Sequence, residues 1–322
     1  MPDRPHRFQF FADRGDVRLR LDQILVRRVT AVTHMSRSVA QRWIAEGNVA
    51  VDGRAARRSS DRVREHASIE VTLPATAELR SIPQPEDAPL DVLYEDDDLI
   101  AINKPAGIVV HPSYKRLSGT LLNAVLWRVR HRAAAQPGIL TRLDKDTSGI
   151  VVVAFSGAVH ATLQRDAAAG RTHKEYLAIV HGTPHPRSAV IREPLGRDPA
   201  DRRRVIVTAG GAESETRYDV ISSLAGNLSL VRCELVTGRT HQIRVHLSSR
   251  GWPILADALY GPSASLRAGD NDQMSRQALH AWRISLLHPL TRERLVIEAP
   301  LPPDWPIEAH QLPNGIDRQR RP

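Results

Sequence analysis

Nine residues, Thr141-Arg142-Leu143-Asp144-Lys145-Asp146-Thr147-Ser148-Gly149, combine a carboxylate, a neighbouring arginine, small hydroxyl side chains and a glycine. An unbroken apolar run, Ile150 to Phe155, follows at once. Such a run predicts a strand buried on both faces. Charged groups at the mouth of a buried strand carry a desolvation cost, so they belong to a turn or to a site. As a turn, Asp146 and Ser148 would shape the chain ahead of Gly149. As a site, Asp144 offers a carboxylate that can act as a nucleophile. Asp146, two residues on, leaves a paired-carboxylate hydrolase open, although Asp146-Thr147-Ser148-Gly149 fits a turn better.

The elements that must position these residues are readable around them. Leu99 to Asn103 is a short apolar strand ahead of Lys104-Pro105-Ala106-Gly107, and Leu121 to Val129 is an amphipathic helix. A helix from about Ala158 is capped by Ser156 and ended by Gly170. Strands are predicted at Tyr176–Val180, Val205–Val207, Arg217–Ile221, Leu228–Leu235, Ala281–Leu287 and Leu295–Ala299. Thr240 is placed to cap a short helix with Ile243 and Leu247 inward, and residues 262 to 275 read as a Gly/Ser/Asp-rich loop. Many strands and few helices predict an α+β domain with a mainly antiparallel, mixed sheet over residues 90–306.

A smaller unit is predicted at residues 17–75. Leu21, Ile24 and Leu25 have helical spacing. A second helix starts at Ser36 and stops at Gly47, with Val39, Trp43 and Ile44 on its apolar face and Arg37 and Arg42 on the polar one. Val49 and Val51 alternate into an Asp52-Gly53 hairpin turn, and Ile69, Val71 and Leu73 close the unit as a strand. Residues 1–16 read as a disordered tail, the proline-punctuated stretch 76–89 as an extended linker, and 307–322 as a second disordered tail.

Composition narrows the function classes. The 322 residues carry a formal charge of +9, and lysine occurs only at 104, 115, 145 and 174, so the basic surplus is arginine. Residues 1–75 hold fourteen arginines, no lysine and nine acids, which places +5 of the surplus there. A basic balance of this kind points to a polyanion partner. The single cysteine, Cys233, excludes a disulfide framework and a Cys-based zinc site, and the His241/His246 spacing matches no metal motif. No run of eighteen apolar residues exists, and Met1 to Arg20 has no apolar core. A soluble, cytoplasmic protein with no membrane association is expected.

The Asp144 block closely resembles the signature of the RluA-type pseudouridine synthases, which isomerise uridine in RNA. Four more blocks resemble the same family, in its order, over some two hundred residues: Asp97–Pro105, Lys174-Glu175-Tyr176-Leu177-Ala178, Gly238-Arg239-Thr240-His241-Gln242-Ile243-Arg244 and Gln277-Ala278-Leu279-His280-Ala281. Residues 20–25 and 36–53 resemble an S4 RNA-binding domain. The domain order resembles the ribosomal large-subunit group of the family.

The resemblance implies a catalytic set of Asp144 as nucleophile, Arg244 as its charge partner and Tyr176 as a ring that stacks on uracil and helps move the C5 proton. It implies that Arg142 fills the space of the flipped nucleotide, and that Arg37, Arg42, Arg54, Arg57 and Arg58 face RNA. Lys104 and His111 match positions read as structural. Two departures stand out: Thr141 where the family most often has histidine, which bears on target choice, and Ala256-Asp257 for a commoner Gly-Asp pair. Isomerisation involves no redox step and loses no group, so no cofactor and no metal is implied. The implied partner is RNA, foremost 23S ribosomal RNA or a large-subunit assembly intermediate, bound by a monomer. Alternatives are a synthase acting on transfer RNA, a catalytically inactive RNA-binding or ribosome-assembly factor, and an RNA N-glycosylase using Asp144 with Asp146.

Overall fold

The computed structural model describes residues 7–12, 16–17, 19–29, 35–73, 83–112, 117–132, 135–261 and 274–306. The chain divides into two compact units between Gln84 and Pro85.

In the first unit, β1 (Arg7–Phe11), α1 (Leu21–Val29), α2 (Arg37–Ala45), β2 (Val49–Val51), β3 (Arg54–Ala55) and β4 (Ser68–Thr72) follow one another, and the sheet order is β1-β4-β2-β3. Leu21, Ile24 and Leu25 of α1, Trp43 and Ile44 of α2, and Val49, Ile69 and Val71 of the sheet form one apolar core. Helical and alternating periodicities thus meet on a shared face. Ser36 caps α2 by accepting from the Val39 N–H at 3.2 Å. Asp52 and Gly53 both have positive φ, as a two-residue hairpin turn requires.

The expected tail over 1–16 is corrected for residues 7–12 and 16, while residues 1–6 and 13–15 lie outside the described residues. Arg7–Phe11 pairs antiparallel with β4, and Phe10 packs against the core. Asp16 is fully buried, accepting from Arg27 and Arg28 at 3.2 and 2.7 Å. The segment looks polar as a composition, but its Phe8/Phe10 alternation suits a sheet edge, and β4 offers that edge. The linker expectation is also corrected in part. Glu86 donates its N–H to the Asn123 carbonyl and accepts from the Gly119 N–H, so the chain from Pro85 belongs to the second unit. Residues 74–82, the 307–322 tail and most of the 262–275 loop lie outside the described residues.

The second unit runs β5 (Val92–Glu95), β6 (Leu99–Lys104), α3 (Leu121–Arg128), β7 (Gly138–Ile139), β8 (Ser148–Ala154), α4 (Gly157–Ala168), β9 (His173–His181), β10 (Ser188–Ile191), β11 (Leu195–Arg197), β12 (Val205–Val207), β13 (Thr216–Leu224), β14 (Leu228–Leu235), α5 (Gln242–Ser249), β15 (Leu279–Leu287) and β16 (Arg294–Glu298). Ten of these strands make one sheet with the order β10-β13-β14-β9-β15-β8-β6-β5, with β16 on β15 and β7 on β8. The pair β15–β8 is parallel, and the other pairs are antiparallel.

Strand β8 explains its own sequence. Val151 and Val153 enter the core on one face of the sheet, where α3 and α5 pack; Ile150, Val152 and Ala154 enter the other, under Val159 and Leu163 of α4. With both faces covered, alternation disappears and the strand reads as an unbroken apolar run.

Candidate active site

Asp144 lies in the loop that feeds β8, and that loop is held from behind by buried cations. Lys104, fully buried, donates through Nζ to the carbonyls of Pro105 and Lys145 at 2.7 and 2.9 Å. Burial pushes its pKa down to about 7, against the attraction of Asp146 and Asp144. Arg276 donates to the Asp146 carbonyl at 3.1 Å and is itself clamped by Asp304 at 2.7 Å through two N–H groups. Gln277 reaches the Thr147 hydroxyl, and the Ser148 hydroxyl pairs with His280 Nδ1 at 2.9 Å. Gly149, at φ +111°, lies so close to the Ala281 backbone that a Cβ there would overlap it. This is where the first strand residues of β8 and β15 pair in parallel.

The block's carboxylate faces a cleft of ≈ 340 Å³. Leu143, Leu235, Ile243 and Leu279 supply apolar wall, and Arg142, Tyr176, Arg239, His241 and Arg244 surround Asp144. Arg244 is 8 % exposed and uses three N–H groups on two carboxylates. Its Nη1 donates to Asp144 Oδ2 at 2.9 Å, while Nε and Nη2 donate to Asp257 Oδ2 and Oδ1 at 2.7 and 2.8 Å. Burial opposes its charge, but the two carboxylates hold its pKa above the ordinary arginine value. Asp257 is fully buried; burial would raise its pKa, yet Arg244 and the N–H groups of Leu259 and Tyr260 keep it below the usual carboxylate value. Tyr176 is 6 % exposed, and burial together with the Asp144 charge pushes its hydroxyl well above the ordinary tyrosine pKa, so the phenol stays neutral.

The structure brings Asp144, Tyr176 and Arg244 into one cleft and puts Arg142, exposed, on its rim. It does not bring in Asp146, which is outside the cleft lining, so the paired-carboxylate alternative lacks its second acid. Thr141 is also absent from that lining: its side chain is buried and accepts from the Val152 N–H at 3.0 Å. Thr240 does not cap α5. The cap is His241, in the left-handed region at φ +56°, with no side-chain cap bond. Three residues around the site were given no role in it from sequence: His241, Tyr260 and Asp257. His241 stands inside the Gly238–Arg244 block, whereas Asp257 follows Arg244 by thirteen residues, a separation that follows no local periodicity.

The S4 arginines divide. Arg37 Nε donates to buried Asp22 at 3.1 Å, and Arg42 lies 4.0 Å from Glu46. Arg54, Arg57 and Arg58 are exposed and have no ion-pair partner among the described residues.

A buried arginine that holds a cleft-lining carboxylate, in an α+β sheet domain, is an arrangement suited to an enzyme site. Residues 98–249 match the family described as RNA pseudouridylate synthase, and residues 19–69 match the S4 domain. The chain is 41% identical over 290 residues to the ribosomal large subunit pseudouridine synthase D of Nitrosomonas europaea, covering 89% of this chain and 82% of that one. It is 37% identical over 273 residues to an uncharacterized RNA pseudouridine synthase of Bacillus subtilis, covering 84% and 87%. Among solved structures, human RNA pseudouridylate synthase domain containing 1 superposes with a TM-score of 0.53 at 27% identity, over 66% of this chain and 84% of that one. The chain belongs to the RluA-type family of RNA pseudouridine synthases, with an N-terminal S4 domain. It is thus an isomerase of uridine in RNA, and RNA is its partner.

Proposed function

We propose that Asp144 is the nucleophile of this synthase and that its target is a uridine of large-subunit ribosomal RNA, 23S RNA in bacteria. The observation that carries the first part is the asymmetric hold on the carboxylate. Arg244, itself buried, binds Oδ2 at 2.9 Å at the cleft wall. The other oxygen, Oδ1, accepts no protein hydrogen bond among the described residues, and Asp144 lines the cleft.

Isomerisation breaks the N1–C1′ bond of uridine, turns the base, joins C5 to C1′ and transfers the C5 proton away as N1 regains one. Asp144 attacks C1′ through its free oxygen as the base departs and is released when C5 attacks in turn, so nothing is consumed. Arg244, charged throughout, offsets the negative charge of Asp144 and fixes its Oδ2 in place. Tyr176 stacks on the uracil ring while it turns, and its neutral hydroxyl relays the C5 proton. A base inside a helix is out of reach, so the nucleotide must be extruded, with the Arg142 guanidinium filling the gap. The target assignment rests on relatives named ribosomal large subunit pseudouridine synthase D in Nitrosomonas europaea and Xanthomonas campestris. A monomer acting in the cytoplasm goes with this reading; no helix among the described residues is long and apolar enough to cross a membrane.

The test is Asp144→Asn, nearly isosteric but neither nucleophile nor base. The wild-type protein should form pseudouridine in ribosomal RNA with no change of RNA mass, and the variant should bind RNA and form none. Turnover by the variant near the wild-type rate would remove Asp144 from the chemistry. Base loss in place of isomerisation would make the protein a glycosylase. Mapping pseudouridine in cells lacking the gene identifies the target: a missing transfer-RNA pseudouridine with intact 23S RNA would overturn the ribosomal assignment.

A further inference from the structure

The second side chain turned toward Asp144 is His241. Its Nε2 stands 3.8 Å from Asp144 Oδ2, the oxygen already bound by Arg244. At that separation the pair is not a hydrogen bond in the resting protein. What makes the geometry informative is the other side of the ring, where Nδ1 is 2.8 Å from the Tyr260 hydroxyl oxygen. That oxygen also accepts the Val205 N–H, at 2.8 Å. The Tyr260 proton is therefore free to point at the acceptor in reach, Nδ1 of His241. With the Tyr260 hydroxyl as donor, Nδ1 accepts and the proton of the neutral imidazole sits on Nε2, the nitrogen 3.8 Å from Asp144.

Three features show that the ring is held there. His241 adopts φ +56°, ψ +17°, a left-handed conformation uncommon for a non-glycine residue and kept only where its surroundings demand it. The next residue, Gln242, is anchored by four hydrogen bonds, to Thr237, Arg239, Glu215 and Thr216. The rings of His241 and Tyr260 meet edge to face at 5.5 Å, and Tyr260 lies under the Arg244 guanidinium at 5.1 Å. One short turn thus orients both groups facing Asp144: Asp257 at its start holds Arg244, and Tyr260 at its end holds His241. Burial lowers the His241 pKa below its ordinary value despite the pull of Asp144, which keeps the ring neutral.

We propose that His241 is a positioning residue for Asp144, presenting its Nε2–H to Oδ2 so that Arg244 and His241 together hold that oxygen and leave Oδ1 to react. The inference rests on Asp144 being the reacting carboxylate. The gap closes when RNA fills the cleft and water leaves, as catalytic hydrogen bonds commonly tighten in the substrate complex. A neutral donor suits the task better than a second cation. It orients the carboxylate without adding charge that would weaken its nucleophilicity.

The experiment compares His241→Asn, His241→Gln and Tyr260→Phe in the full-length chain, with kcat and KM measured on a ribosomal RNA fragment and Asp144→Asn as a parallel control. Asparagine tolerates the left-handed backbone and can keep the Tyr260 hydrogen bond, but it is too short to present a donor to Asp144. Glutamine reaches the position of Nε2 with an amide N–H. The expected result is a kcat lowered about tenfold or more in His241→Asn with KM unchanged, and largely restored in His241→Gln. Tyr260→Phe, which frees the tautomer, should fall between. Thermal melting checks that each variant is folded; if His241→Asn is not, the comparison of His241→Gln with Tyr260→Phe decides. Wild-type kcat in a folded His241→Asn, an effect confined to KM, or a His241→Gln as slow as His241→Asn would each overturn the proposal. If Asp144→Asn is inactive while His241→Asn is fully active, only the role of His241 falls. If Asp144→Asn is itself active, the reading of Asp144 falls first.

Discussion

Arg244 and Asp257 form a two-point pair in which both carboxylate oxygens of Asp257 are taken, at 2.7 and 2.8 Å, and Nη1 of the guanidinium reaches Asp144 at 2.9 Å. The position of the Arg244 charge is therefore set by a residue that is not itself in the cleft lining.

Arg244→Lys tests that division of labour. A lysine keeps the charge but concentrates it at one nitrogen, which cannot reproduce the two-point hold on Asp257 while reaching Asp144. The expected outcome is a folded protein whose single-turnover rate on RNA falls about a hundredfold. Full activity would show that charge alone is enough. Asp257→Ala goes further, leaving a buried guanidinium half paired, and should lower stability by about 3–5 kcal/mol in denaturant unfolding.

Tyr176 separates ring from hydroxyl. The phenol is kept neutral by burial and by Asp144, so it cannot serve as an ionised base near neutral pH. Tyr176→Phe keeps the stacking surface and should lose only the proton relay, whereas Tyr176→Leu should lose both and be the slower variant. Stacking on a base is worth about 1–3 kcal/mol, which sets the gap expected between the two rates. Equal rates would show that the ring does not carry the uracil.

Gly149→Ala should be more damaging than any exposed substitution in the loop. Its φ of +111° is open to glycine, and a Cβ would overlap the Ala281 carbonyl where β8 meets β15. A stability loss of more than about 2 kcal/mol is expected, with activity abolished because Asp144 rides on the same loop. A wild-type melting temperature would contradict the close approach.

Replacing Arg54, Arg57 and Arg58 together by alanine should weaken RNA binding with little effect on folding, since these arginines are exposed and have no ion pair among the described residues. The salt dependence of binding should become shallower by about one unit of slope for each phosphate that is no longer neutralised. Equal affinity and equal slope would show that this surface does not meet RNA. The same triple change should raise KM and leave kcat nearly untouched.

Asp166 gives a pH test of the fold. It joins the end of α4 to Arg171 and to Arg292, at 2.6 and 2.7 Å. The Arg292 bond first, then Arg171, outweigh burial and lower its pKa from 3.8 to about 2. A depressed carboxylate contributes its stability in full above the unfolded value and loses it as pH falls through the folded one. The melting-temperature gap between wild type and Asp166→Asn should thus be complete near neutral pH, shrink below 3.8 and vanish near 2. A gap independent of pH would mean that the ion pairs contribute nothing.

The sequence alone determined what is local. The β8 run showed its double burial because both of its faces are covered. The Ser36 cap and the Asp52-Gly53 turn showed the helix and hairpin of the first unit because their signals span a few residues. Asp144, Tyr176 and Arg244 could be picked out through their short family blocks, and so could the order of the two units. Tertiary structure decided what depends on residues far apart in the chain. Arg7–Phe11 became a strand only because β4 exposes an edge. Asp146, adjacent to the site in sequence, was turned out of it by the carbonyl grips of Lys104 and Arg276. Asp257 and Tyr260 gained their roles because α5 and the turn after it fold back beside Asp144, a hundred residues from Arg244. A hydrogen bond is selective in angle and distance but leaves no periodic trace along the chain, so the partners that hold Arg244 and His241 come into view only in three dimensions.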